Sequence, residues 1–163
     1  MTTPTVTLRP ATKEDARTLW KWANDPTVRA SAFSQDHIPW ENHVQWLHRK
    51  LEDPQCLIFI AENKGGTPVG QIRFDCHGRT ADIDLHLSPG QRGKGLGVLL
   101  VTSGIQKLFE VSEAQQVHAY VKQSNVASQK TFERAGFSRV DKQLVNGVET
   151  YRFAFPRRRT DNH

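Results

Sequence analysis

Midway along the chain a strict two-residue alternation, Asp82-Ile83-Asp84-Leu85-His86-Leu87, passes through Ser88-Pro89-Gly90 into Gln91-Arg92-Gly93-Lys94-Gly95-Leu96-Gly97, where a helical pattern takes over. The alternation puts Ile83, Leu85 and Leu87 on one face of a strand and Asp82, Asp84 and His86 on the other. Gly93, Gly95 and Gly97 allow a backbone that approaches a ligand closely and adopts dihedrals other residues avoid. The helix that follows, predicted from about Gly95 to Glu110, opens with N–H groups that lack helical partners, and its dipole adds positive potential there. Strand, glycine loop and helix N-terminus in that order make a pyrophosphate site, with Arg92 and Lys94 adding charge at its rim. Two commoner phosphate loops do not fit. A dinucleotide loop lies near the start of a βαβ unit with an acid ~20 residues on, whereas this one lies past mid-chain behind an antiparallel meander. No G-x-x-x-x-G-K-S/T run is present either.

The remaining segments place this loop in one mixed α/β domain. Val6 to Arg9 reads as a strand. A helix starts with Thr12 as N-cap and runs to about Asn24, and a second opens at Asp25-Pro26 with the aspartate capping and the proline at the first helical position. A third opens at Ile38-Pro39-Trp40-Glu41 and ends near Glu52, with Val44, Leu47 and Leu51 on one stripe. The period then shortens: Cys56 to Glu62, Val69 to Asp75 and Asp82 to Leu87 form a three-stranded meander. After the glycine-loop helix come a strand from Gln116 to Val121 and a helix capped by Ser124 or Asn125 that ends at Gly136. A hairpin closes the order, Phe137 to Leu144 and Val148 to Phe155, turning at Asn146-Gly147. One domain over residues 1–156 is expected, with 157–163 as a basic, disordered tail.

Composition narrows the function. With 163 residues and 37% apolar content the chain can build one ordinary core. Its longest apolar runs are far short of the ~20 residues a bilayer span needs, and Met1-Thr2-Thr3-Pro4-Thr5 does not read as a signal peptide. Cys56 and Cys76 are too few for a disulfide scaffold or a four-ligand zinc site, so a reduced, cytoplasmic and metal-free protein is expected. The net charge of +5 calls for an anionic partner. Phosphorylated cofactors and nucleotide-linked substrates fit; the scatter of basic residues argues against nucleic acid.

Arg92-Gly93-Lys94-Gly95-Leu96-Gly97 resembles the Q/R-x-x-G-x-G/A signature of the GNAT N-acetyltransferase superfamily. Asn125-Val126-Ala127-Ser128 and Phe132-Glu133-Arg134-Ala135-Gly136-Phe137 are similar to its second motif, and the likeness covers nearly the whole chain. The resemblance implies an acetyl-CoA site between two splayed strands. The backbone of Leu85 and Leu87 would pair with pantetheine and the acetyl carbonyl. Arg92, Gly93, Lys94, Gly95, Leu96 and Gly97 would hold the pyrophosphate, and Asn125, Ser128 and Phe132 would border the pantetheine arm.

On the acceptor side, Trp22-Ala23-Asn24-Asp25-Pro26 with Arg29, then His43 and Trp46, resembles the GNAT branch that acetylates nucleotide-linked 4-amino sugars. Trp22, Asn24, Arg29, His43 and Trp46 are thus the expected substrate contacts, with Lys122 a further basic contact for a nucleotide diphosphate. Amine attack on a thioester needs a base, an oxyanion stabiliser and a proton for the leaving thiolate. Asp82, Asp84 and His86 are the candidate bases, Asp82 occupying the position where relatives often carry Glu. Relatives usually carry Tyr where this chain has Phe132, so Tyr120, Tyr151 or water must supply the acid. An N-terminal acetyltransferase of ribosomal proteins or peptides and a non-catalytic acetyl-CoA-binding module are the alternatives, and a homodimer is compatible with the sequence.

Overall fold

The computed structural model describes residues 5–158. Among these, seven strands form one sheet in the order β1-β2-β3-β4-β5-β7-β6. They are β1 (Thr7–Pro10), β2 (Cys56–Glu62), β3 (Pro68–His77), β4 (Thr80–Leu87), β5 (Gln116–Lys122), β6 (Ser138–Val145) and β7 (Val148–Pro156). Every neighbouring pair is antiparallel except β4 and β5, which run parallel. Helices α1 (Ala16–Ala23), α2 (Pro26–Ser31), α3 (Trp40–Glu52), α4 (Leu96–Val111) and α5 (Val126–Arg134) complete the domain. None is long and apolar enough to cross a membrane.

Alternation along the strands sorts their side chains into two cores. Phe59, Ile72, Phe74, Val117, Ala119 and Phe153 pack with Val101, Ile105 and Leu108 of α4 and Phe132 of α5. On the opposite face Cys56, Ile58 and Ile60 of β2 pack with Leu19 and Trp22 of α1 and Leu47 of α3. Buried on both faces, β2 reads as a continuous apolar run rather than an alternating one. At Gly104 an added Cβ would lie 2.6 Å from Ile72 Cδ1, so α4 sits on the sheet as closely as it does because that position is glycine.

The expected elements are present, with small differences at their ends. The first predicted helix is in two parts: Lys13–Asp15 is a 3₁₀ turn and α1 begins at Ala16. Asp15 explains the break, for its carboxylate accepts the Thr12 N–H at 2.8 Å and two bonds from Arg9 at 2.8 Å each, which pins the turn to β1. Asp25 and Asn125 cap α2 and α5. Asn146 and Gly147 both have positive φ, 50° and 77°, so the last turn is of the primed hairpin type. The hairpin pairs within the chain, β7 lying between β5 and β6. Arg157, the first residue assigned to the tail, is anchored: its guanidinium donates to the carbonyls of Phe109, Ser112 and Ala114 near the end of α4. The rest of that tail from residue 159, like Met1 to Pro4, lies outside the described residues.

Candidate active site

Strands β4 and β5 pair only at Thr80↔Gln116, Ala81↔Val117 and Asp82↔His118. Beyond that point β4 continues against β3 as far as Leu87, and β5 against β7 as far as Lys122. Residues 83–87 and 119–122 therefore border a gap in which neither strand pairs with the other. A cleft of about 900 Å³ runs through this gap. On one side of the sheet it is lined by Gly97, Val98, Thr131 and Phe132 of α4 and α5; on the other by Leu19, His43 and Trp46 of α1 and α3. Main-chain groups along such an edge need partners, and a ligand lying in the gap with amide groups of its own would supply them. The β3–β4 register is regular from Gly70↔Leu87 to His77↔Thr80, so no bulge changes the parity of the polar face.

At one end of the gap is the glycine loop. Gly93 and Gly95 both have φ of 77°, and Gly95 is the N-cap residue of α4 with no side-chain cap. None of the N–H groups from Arg92 to Val98 finds an acceptor among the described residues. An added Cβ at Gly93 or Gly95 would meet nothing within 4 Å, so the left-handed backbone, not clearance from the protein, is what asks for glycine there, and the space beside the loop is open. Those donors, the dipole of a 16-residue helix and the open space fit a diphosphate. Gly97 acts differently, since a Cβ there would lie 3.2 Å from Thr131 Cγ2; its absence permits the close approach of α4 and α5. Leu96 is 5% exposed and packs in the core, leaving only its backbone to the loop. Lys94 is exposed. Arg92, expected at the rim, turns instead to Asp25 Oδ2 at 3.0 Å and the Leu87 carbonyl at 3.3 Å, tying the loop to the start of α2.

The α1–α3 side carries the polar groups. Gln71 and Arg73 of β3 face His86 and Asp84 of β4 in register. Arg73 lies over the Trp46 ring at 5.0 Å and pairs with Asp75 at 3.0 Å and Asp84 at 3.6 Å. His86 Nε2 stands 3.4 Å from Asp84 Oδ2. Burial opposes ionisation of Asp84, but His86, Arg73 and Gln71 together outweigh it and hold its carboxyl below the usual range. Burial lowers the pKa of His43 and raises that of Tyr120, which Asp82 raises further. Among the described lining residues Asp84 is the one acid, against five arginines and two lysines.

The structure brings Asp84, Leu85, His86, Leu87, Tyr120, Asn125, Ser128 and Phe132 together along the cleft, with Arg29, His43 and Trp46. Phe132, 6% exposed, stacks edge-on against Phe137 and offers no hydroxyl. Asn125 and Ser128 border the gap while bonded to each other, Nδ2 to Oγ at 3.0 Å. Four expectations are corrected. Asp82 lies where β4 and β5 are still paired, faces His77 at 3.4 Å and does not line the cleft. Trp22 is a core residue, 6% exposed. Asn24 grips the Ile38 backbone through both its side-chain atoms, at 2.8 and 3.0 Å. Tyr151 lies on the other face of the sheet beneath Arg139. Arg29 and Lys122 line the cleft but donate to backbone carbonyls, Arg29 to Ala23, Ser34 and Asp36, Lys122 to Ala30. The sequence reading missed Gln71 and Arg73. Their signal was the alternation Gln71-Ile72-Arg73-Phe74-Asp75, which gives β3 a polar face like that of β4.

A sheet opened between its one parallel pair, with a glycine-built anion cradle at the mouth, is the build of an acetyltransferase that uses coenzyme A. The chain belongs to the GNAT family: the acetyltransferase (GNAT) domain matches residues 5–138. Acetyl-CoA is the donor that this family uses. A mycothiol acetyltransferase of Corynebacterium aurimucosum is 30% identical over 116 residues, covering 63% of this chain and 38% of the relative. An uncharacterized protein of Methanocaldococcus jannaschii is 23% identical over 145 residues, 86% of this chain and 30% of the relative. The chain thus spans well under half the length of these two relatives. Among solved structures, spermidine N-acetyltransferase from Vibrio cholerae with CoA and spermine superposes with a TM-score of 0.84 at 17% identity, covering 93% and 95% of the two chains. An aminoglycoside acetyltransferase with coenzyme A and kanamycin gives 0.82 at 22% identity, covering 96% of each. At these identities the likeness is one of fold.

Proposed function

We propose that this chain moves the acetyl group of acetyl-CoA onto a primary amine, the 4-amino group of a nucleotide-linked amino sugar, by direct attack in a ternary complex. The observation that carries this reading is the charge of the cleft. Polyamines and aminoglycosides are polycations; here one carboxylate would receive them among Arg29, Arg49 and Arg73 on the acceptor side. An acceptor that brings phosphates with its amine suits that balance. The acceptor enters from the α1–α3 side and the donor from the α4–α5 side, so the two meet in the gap between β4 and β5.

Bound acetyl-CoA supplies an activated thioester. The chain's own groups handle the protons. Asp84, ionised at neutral pH, draws the amine in, and His86 beside it takes the amine's proton. Tyr120 keeps its proton because burial raises its pKa, and it serves as the acid that Phe132 cannot be. Main-chain N–H groups of residues 83–87 that border the gap would polarise the acetyl carbonyl.

Release of free thiol from acetyl-CoA tests the reading against three acceptors: a UDP-linked 4-amino sugar, peptides with ribosomal-protein N-termini, and spermidine. Turnover is expected with the sugar. Turnover of the peptides alone selects the N-terminal acetyltransferase instead. CoA binding without turnover of any amine selects a non-catalytic binding module.

A further inference from the structure

Among the described residues, three buried side-chain polar atoms have no hydrogen-bond partner: His43 Nε2, Gln71 Nε2 and Asp84 Oδ2. All three residues line the acceptor half of the cleft. Buried polar atoms are nearly always paired, so three orphans in one place mark a site that awaits a ligand. His43 and Gln71 are 4% and 3% exposed, so bulk water does not serve them.

The three come from different elements but converge. Gln71 is opposite His86 and Arg73 opposite Asp84, which sets Gln71 and Asp84 diagonally on one face of neighbouring strands. Asp84 Oδ2 is ion-paired with His86 at 3.4 Å and Arg73 at 3.6 Å, and the polar pull of the Gln71 amide helps hold its carboxyl down, yet no contact of Asp84 Oδ2 or Gln71 Nε2 meets hydrogen-bond geometry, so both keep bonding capacity for a ligand. His43, from α3, lines the same cleft, and its ring and that of His86 repel one another when both are protonated. An amide nitrogen only donates, an ionised carboxylate only accepts, and a neutral imidazole nitrogen without a proton accepts. A polyamine brings N–H donors alone and leaves the Gln71 amide unmatched. A peptide N-terminus brings an amine and a carbonyl, which match Asp84 and Gln71; its side chain gives His43 a hydroxyl only where the first residue is serine or threonine, itself a vicinal amino alcohol. An amine with a hydroxyl on the adjacent carbon matches all three.

We infer that Asp84, Gln71 and His43 form the recognition subsite for a vicinal amino alcohol. Asp84 Oδ2 accepts from the amine, Gln71 Nε2 donates to the neighbouring hydroxyl oxygen, and that hydroxyl donates to His43 Nε2. The inference deepens the acetyl-transfer reading, and rests on it for placing the amine in the gap. It makes the hydroxyl beside the amine, and not the amine alone, the feature by which the acceptor is chosen.

The test is calorimetric titration of the whole chain, saturated with CoA, with a matched pair of probes: a UDP-linked 4-amino-4-deoxy sugar bearing the C3 hydroxyl and its 3-deoxy counterpart. The hydroxylated probe is expected to bind at least about tenfold tighter, the effect of one net buried hydrogen bond. In Gln71→Leu, and separately in His43→Phe, the ratio should fall towards one while CoA affinity stays at the parental value. Equal affinities in the parent, a ratio unchanged in both variants, binding of neither probe, or tighter binding of spermidine would each overturn the inference. Hydroxyl-dependent binding without acetylated product would sink the transfer reading and leave the subsite standing, so the two failures are told apart.

Discussion

Gly95→Ala separates the backbone cost of a left-handed residue from the loss of a bound diphosphate. Gly95 has φ of 77°, and its missing Cβ would meet nothing within 4 Å, so alanine there brings strain without a clash. That strain is about 1–2 kcal/mol, or about 2–8 °C in melting temperature for a domain of this size. Gly78, at the far end of β4, is a matched control: its φ is 61° and its Cβ space is also open. Without ligand the two alanine variants should lose similar stability. With CoA they should part. At a CoA concentration 1,000 times Kd the parent gains about 4.1 kcal/mol of protection. A methyl group in the open space beside the free amides of Arg92 to Val98 is expected to cost a bound diphosphate one or two charged hydrogen bonds, enough to raise Kd about 100-fold. Protection then falls to about 1.4 kcal/mol, and the CoA-induced shift shrinks by about 5–11 °C. Differential scanning fluorimetry of both variants, with and without CoA, reads this directly. If Gly95→Ala were protected by CoA as fully as Gly78→Ala, the diphosphate would not sit at this helix end.

Three more outcomes are expected. Tyr120→Phe should lower kcat by about 100-fold with little change in the KM for acetyl-CoA, and Phe132→Tyr in that background should restore part of it; steady-state rates that do not move exclude Tyr120 as the acid. Gly104→Ala should cost about 1–3 kcal/mol in urea unfolding, since its Cβ would press on Ile72, which is fully buried and cannot step aside; parental stability would show that α4 shifts freely. Because burial lowers the His43 pKa, the unfolded chain takes up a proton below about pH 6.5 that the folded chain refuses. Stability is therefore full above that pH and falls as the pH drops towards 5. His43→Gln should flatten this part of a melting-temperature-against-pH curve, His118 leaving a slope of the same sign; an unaltered curve would contradict the buried neutral state.

How much of this was legible beforehand varies by residue. Asp25 and Pro26 announced α2, Asn146-Gly147 the last turn, and Gly93 and Gly95 the left-handed loop before α4, because each depends on a backbone geometry set within a few residues. Trp22 and Asn24 were read as substrate contacts because they sit beside a recognisable motif, and the fold made one a core residue and the other a brace for the Ile38 backbone. Nothing local distinguishes a tryptophan that lines a cleft from one that fills a core. Arg92 shows the same limit: its position in the loop suggested a phosphate contact, and its partner is Asp25, 67 positions away in the chain.

The residues alone determined the elements, the class of fold and the row of free amides at the start of α4 that is proposed to hold a diphosphate, since hydrophobic period, capping and glycine dihedrals are short-range properties. Sheet order and register decided the rest. They ended the β4–β5 pairing at Asp82, took that aspartate out of the cleft, and set Gln71 diagonal to Asp84 in the cleft that His43 also lines. Those meetings join segments far apart in the chain, so they exist only once the sheet has formed.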